Sequence, residues 1–174
     1  MLLHQPQMPV VGQLIAVDLA TQAVRWTVKT GKLPADIYLT PDDRLLLVGM
    51  TGDRFVEVYE AGAKPPRLVK RIATGNGAHA FRSLGDRRHV FVSNRVANTI
   101  SQIDHTTLEV VAELPGPGGP DCMELTADRR TLLVSSRWAR KLSVVDVAAR
   151  KVVHQVEVGR SPHGVWTLDH APRL

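Results

Sequence analysis

The feature that most constrains this chain is a unit of about forty residues that returns along it. The stretch GPDCMELTADRRTLLVSSRWARKLSVVDVAARKVVHQVEVG, Gly119 to Gly159, reads almost position for position against GAHAFRSLGDRRHVFVSNRVANTISQIDHTTLEVVAELP, Gly77 to Pro115. Asp42, Asp86 and Asp128 open equivalent turns 44 and then 42 residues apart, and Asp104 and Asp146 are again 42 apart. A second register agrees, because Pro34, Ala78, Pro120 and Pro162 fall at intervals of 44, 42 and 42. Within each copy the apolar residues form four short, partly alternating runs rich in Val and Leu, too short for helices and suited to half-buried strands.

A period of 40 to 45 residues carrying four strands is the mark of a propeller blade. The Gly-His and Trp-Asp marks of the WD40 class are absent. The expected fold is therefore all-β, a β-propeller of four-stranded antiparallel blades, with about four blades in this chain. Its parts are a partial blade over 1–30, blades over 34–74, 78–115 and 120–159, and a closing strand over 162–168. Gln13 to Lys29 matches the third and fourth strands of a blade, Met1 to Gln5 lines up weakly with a second strand, and His163 to Leu168 matches a first strand alone. One blade is thus expected to be divided between the two ends of the chain, which is how a ring is closed without an open edge. Rings of this repeat usually hold more than four blades, so three arrangements stand: a fragment of a longer propeller, a homodimer completing a larger ring, or a four-bladed ring.

At 174 residues the chain is long enough to bury about 70% of its unfolded surface. Aromatic residues make up only 5% of it, so the core is expected to be Val and Leu rather than large rings. No apolar run approaches the ~20 residues of a membrane span, and MLLHQPQMPVVG lacks the charged and apolar regions of a signal peptide. A single cysteine, Cys122, excludes an intramolecular disulfide, a cysteine zinc cluster and a C-x-x-C-H haem attachment. The net charge of +5 comes mostly from Arg placed beside Asp in turns, as in Asp86-Arg87-Arg88 and Asp128-Arg129-Arg130. That pattern reads as solvated turns, so nucleic acid is not an expected partner.

In an up-and-down blade the loops entering the first strand and those between the second and third strands share one face of the ring. His79, Asp121 and His163 occupy one equivalent position at the start of successive first strands, and Arg95 and Arg137 occupy one equivalent position in the facing loops, with Trp138, Arg140 and Lys141 nearby. Such a set suits an anion, a divalent metal or the propionate of a haem, since Arg pairs bidentately with carboxylate or phosphate and His is a common ligand. The same residues also suit a structural role, satisfying backbone groups at strand starts. There is no G-x-S-x-G, Cys122 reads as a small thiol inside a strand, and the glycines of Gly116 to Pro120 and Gly75 to Gly77 read as turns between blades. Trp26, Trp138 and Trp166 fall at different strand positions and share no ligand-stacking role, and Val144 is expected between sheets.

Val92-Ser93-Asn94 with Ser101-Gln102-Ile103-Asp104, and Val134-Ser135-Ser136 with Ser143-Val144-Val145-Asp146, resemble the YVTN-type β-propeller repeat. The resemblance covers Asp36 to Gly164 well and Gln13 to Lys29 in part. It departs at Val48-Gly49-Met50, where the Asn is lost, and at Tyr59, read as standing where the third-strand Asp belongs. The family and its relatives include lactonase-like enzymes, the haem-binding propeller of cytochrome nitrite reductases, cell-surface proteins and nucleic-acid binders, so the resemblance specifies fold and permits several functions. It implies a non-catalytic binding or scaffold module with no cofactor, its small-molecule or protein partner held on the face of His79, Asp121 and His163. Two alternatives use the same residues: a lactonase-like hydrolase with a divalent metal on His79, Asp121 and His163, or a haem-binding propeller with axial His. Relatives are often exported, which implies a periplasmic or extracellular location if the chain is a fragment.

Overall fold

The computed structural model describes residues 11–173. Among them there are fourteen strands and no helix, and so no helix long and apolar enough to cross a membrane. β1 (Gln13–Val17) and β2 (Val24–Lys29) form a two-stranded sheet. Three four-stranded sheets follow in chain order: β3 (Pro34–Leu39), β4 (Leu45–Met50), β5 (Phe55–Glu60) and β6 (Arg67–Ala73); β7 (Ala78–Ser83), β8 (His89–Asn94), β9 (Thr99–Asp104) and β10 (Glu109–Pro115); and β11 (Pro120–Leu125), β12 (Thr131–Ser136), β13 (Lys141–Asp146) and β14 (Lys151–Glu157). Each sheet is antiparallel with sequential neighbours paired, and β3, β7 and β11 lie side by side as the innermost strands. This is a β-propeller of about four blades. Met1 to Gln5, expected as a weak second strand, lies outside the described residues.

The apolar alternation of each strand feeds two cores, because an interior blade is covered on both sides. In β8, Val90 and Val92 point into a cluster with Leu47, Val56 and Val58 of the preceding blade, while Phe91 points into a cluster with Leu132, Val134 and Val145 of the next. A third cluster joins Leu14, Trp26 and Val28 of the β1–β2 hairpin to Val48, Met50 and Tyr59. Four units thus share three cores in a linear order, and among the described residues the outer sides of the hairpin and of the last blade are left uncovered. Ile15 and Val17 are half exposed on the first, and Val153 and Val156 remain exposed on β14.

Three readings of the sequence are corrected by this arrangement. Val145, not Val144, is the residue buried between sheets: Leu132, Val145 and Val152 stand in register on the covered side of the last blade, and Val144 stands with Leu133 and His154 on the uncovered side. Strand pairing also places Glu60, not Tyr59, in the column of Asp104 and Asp146, opposite Leu45 as they are opposite His89 and Thr131. Residues 162–168 do not form the expected closing strand. A strand needs a ladder partner, and the segment is tied down at separate points instead. The Ser135 hydroxyl donates to the His163 carbonyl (2.5 Å), Thr126 bridges His170, and Ala171 N–H donates to the Leu125 carbonyl (2.9 Å) with its methyl group buried in the last core.

The repeat is also written in the backbone. Leu33, Gly77, Gly119 and Ser161, one blade apart, all adopt left-handed φ values of 50°, 86°, 73° and 54° just before the first-strand position. A side chain is tolerated in the outer two copies. In the inner two, a Cβ on Gly77 would stand 2.8 Å from Val96 N and one on Gly119 2.6 Å from the Trp138 ring, so glycine is required. Gln22, Leu108 and Arg150 share the left-handed position of the turn after the third strand, which identifies β1 and β2 as third and fourth strands of a blade.

Candidate functional site at the channel mouth

His79 and Asp121 each sit in a β-bulge. In β7 the pairing jumps from Ala78↔Asn94 to Phe81↔Val92, and in β11 from Pro120↔Ser136 to Met123↔Val134. A bulge interrupts the ladder and re-aims the side chains at its centre. The loops that follow β8 and β12 fold back over these bulges, held by Arg95 N–H to the Gly77 carbonyl (2.8 Å) and Arg137 N–H to the Gly119 carbonyl (2.9 Å). The left-handed glycines thus set the height at which both arginines cross the channel mouth.

All five residues singled out from the sequence meet there. Asp121, with no exposed side-chain surface, is the centre. Its Oδ2 lies 2.9 Å from Arg95 Nη2 and 3.0 Å from Arg137 Nη1, and its Oδ1 lies 2.9 Å from His79 Nε2 and 3.7 Å from His163 Nε2. Burial pushes the Asp121 carboxyl up, but hydrogen bonds from His79, Arg137 and Arg95 and the charge of Arg95 outweigh it and hold it well below the usual carboxylate range. It is an anion at any physiological pH.

His79 has two partners at one nitrogen. Its Nε2 is in contact with Arg95 Nη2 as well as Asp121 Oδ1, while its Nδ1 lies 3.1 Å from the Thr51 hydroxyl, which donates to the Ala78 carbonyl (3.2 Å). With its proton on Nδ1 the neutral ring accepts from Arg95 at Nε2; with a proton on Nε2 it donates to Asp121. Thr51 occupies in the first four-stranded blade the position of Arg95 and Arg137, a role that residue type alone hid. The His79 and His163 rings meet edge to face at 6.4 Å between centroids. Arg95 Nε is buried with no partner.

Cys122 lines the same opening, with Sγ 3.8 Å from His163 Nδ1 and 3.9 Å from Asp121 Oδ1. Burial and the charges of Asp121 and Asp36 push its thiol up to about 11, so it stays protonated and is a poor nucleophile. Trp138 stands exposed at the rim over Gly119, while Trp26 packs in the core beside the β1–β2 hairpin and Trp166 lies beside His170, so the three tryptophans share no surface.

Sequence reasoning missed a second buried centre on the same strand. Glu124, fully buried, accepts from Arg82 Nε (2.5 Å) and contacts Arg173, and Arg82 also donates to the carbonyls of Ser83 (2.8 Å), Ala171 (2.6 Å) and Pro172 (3.2 Å). The signal was present, since Arg82 and Glu124 are equivalent residues 42 apart with opposite charge on adjacent inner strands. A third, Glu57, accepts from Tyr59 Oη (2.6 Å), Arg71 Nη2 (2.9 Å) and Gly31 N–H (3.2 Å).

Consecutive four-stranded blades whose inner strands lie side by side, with a charged constellation at their entries, define a β-propeller. The chain belongs to the YNCE-like beta-propeller family, whose model matches residues 6–173. Among solved structures it is similar to Kuenenia stuttgartiensis hydrazine synthase, with 26% identity and a TM-score of 0.69 over 87% of this chain and 43% of that one. It is also similar to the dihydro-haem d1 dehydrogenase NirN in complex with DHE, with 20% identity and a TM-score of 0.66 over 86% of this chain and 34% of that one. The chain spans less than half the length of either structure. No curated protein matches it.

Proposed function

We propose that this chain is a non-catalytic binding module that takes the acidic group of a small molecule at the channel mouth, with Arg95, Arg137, His79 and His163 as its wall and Asp121 as the anchor that orients them. The observation that carries this reading is the charge balance: one buried, ionised carboxylate faces two partly exposed guanidiniums and two imidazoles. Guanidiniums with spare donors select carboxylate or phosphate. The same balance weighs against a divalent ion. His79, Asp121 and His163 offer donor atoms within 4.8 Å of one another, which is ligand spacing, but Asp121 Oδ2 already accepts from two guanidiniums that would lie beside the metal. A lactonase-like hydrolase, which needs such an ion to activate water, therefore draws less support from this geometry. Calorimetric titration with succinate tests the proposal: binding should weaken at least tenfold in R95Q/R137Q. Absence of binding to the parent protein, or tight zinc binding lost in H79A and H163A, would overturn it.

The structural neighbours favour a narrower second reading, in which the acidic group is the carboxylate edge of a tetrapyrrole, because one of them is a haem d1 enzyme held with DHE. The imidazoles of His79 and His163 at the opening are of the type that ligates haem iron. Haem added to the purified protein should then give a shifted visible absorption band that H79A/H163A abolishes. An unchanged haem spectrum sinks this reading and leaves the broader one standing.

A further inference from the structure

The loop that carries Arg137 into the channel mouth carries Trp138 next to it, and the matching loop of the preceding blade carries Arg95 and Val96. Backbone bonds fix both apolar residues in the same way: Val96 N–H donates to the Asn76 carbonyl (3.1 Å) and Trp138 N–H to the Gly118 carbonyl (2.8 Å). Each side chain then lies over the left-handed glycine of its joint. The indole takes the room of a Gly119 side chain, since a Cβ there would stand 2.6 Å from Cδ2, 2.7 Å from Cε3 and 3.0 Å from Cγ. Two Cα steps of about 3.8 Å separate Gly119 from Asp121, so the Cα under the indole is at most about 7.6 Å from that of the central carboxylate.

Trp138 is 56% exposed, although tryptophan is highly buried on average. The open end of the blade stack does not account for this, because Val96 holds the same position in an interior blade and is 46% exposed. Trp166, exposed to a similar degree, belongs to the segment beyond the last blade and lies beside His170. The neighbouring Arg137 and, across the mouth, Arg95 turn partly exposed guanidiniums to Asp121. The opening thus offers cationic donors and, on the joint that leads into it, an aromatic surface. A bare anion would use the donors and leave the indole in water. An acid with an aromatic body would use both.

We infer that the ligand of the channel mouth is an aromatic carboxylate, its acidic group on Arg95 and Arg137 and its ring stacked on Trp138, which makes Trp138 the residue that selects the body of the molecule. This rests on the reading of the mouth as a binding site for an acidic group. An aromatic pair adds roughly two- to tenfold in affinity beyond the area it buries. Calorimetric titration with propionate and with 3-phenylpropionate isolates the ring, because the two acids share a carboxylate and a two-carbon arm. 3-Phenylpropionate should bind the parent protein at least fivefold more tightly than propionate. W138A should bring that ratio below two, W138F should restore it, and R95Q/R137Q should weaken both acids. Trp138 belongs to none of the core clusters, so its variants should fold. Equal affinities in the parent, or a fivefold ratio that survives in W138A, overturn the inference and leave the acidic-group reading standing. Binding of neither acid, or of 3-phenylpropionate with undiminished affinity in R95Q/R137Q, overturns both.

Discussion

Asp121 and Glu124 lie three residues apart on β11, both with fully buried carboxylates and both facing two arginines, yet they hold different kinds of structure. The difference is in the cations. The side chains of Arg95 and Arg137 are 18% and 34% exposed at the channel mouth, whereas Arg82 is 3% exposed and spends its remaining donors on backbone carbonyls. Asp121 therefore organises groups that water or a ligand can reach. Glu124 closes a network that fastens the segment around Ala171 to the inner strands. Burial of the acid does not separate a site from a fastener, nor does exposure alone, since Arg173 is 55% exposed; the difference is that the remaining donors of Arg82 are spent on backbone carbonyls.

The largest test of that contrast is E124Q. Removing the charge leaves Arg82 buried and uncompensated, and a loss of about 3–5 kcal/mol is expected in urea unfolding. D121N should cost about 1–2 kcal/mol, because Arg95 and Arg137 can turn to water. Equal losses would erase the distinction. Deleting Ala171–Leu174 takes two carbonyl acceptors from Arg82 together with Arg173, for an expected loss of about 2 kcal/mol. Combined with E124Q it should be clearly less than additive, since both changes act on one network; strict additivity would show that the tail is not part of it.

The pH dependence sharpens the Asp121 side. Its folded carboxyl lies below the unfolded value of about 3.9, so its contribution is complete above that value and is lost as pH falls beneath it. Asp104, held at about 2 chiefly by a hydrogen bond from Arg88, acts in the same direction. In D121N the urea midpoint should fall less steeply below about pH 4, with the Asp104 part remaining. A limb as steep as that of the parent would mean that Asp121 is not ionised in place. The smallest effect belongs to V144D, on the uncovered side of the last blade, which should stay within about 1 kcal/mol. A several-fold larger loss would mean that something covers that side.

The channel-mouth column was legible because the repeat aligns His79, Asp121 and His163 with charges that loops at one end must display. The Arg82–Glu124 column was equally aligned, but lies within strands, where alternation is read for apolar residues and a charge passes as noise. Arg173 lies beyond the last repeat, so no column could contain it. The Tyr59 and Val144 readings failed by one residue each, for the same reason: the neighbouring strand residues Val58 and Tyr59, and Val144 and Val145, are all apolar, and only pairing registers tell them apart.

The left-handed joint that recurs at Leu33, Gly77, Gly119 and Ser161 has a consequence for how such a chain changes length. Every copy enters its inner strand through the same backbone bend, so a segment cut from one joint to the next is interchangeable with its neighbours. Duplication or excision of one such segment leaves the backbone geometry of the remaining joints untouched, while it re-pairs the charges that face each other between inner strands, such as Arg82 and Glu124. For this backbone, blade number is a genetic variable, registered by the end faces and by the charges paired between inner strands.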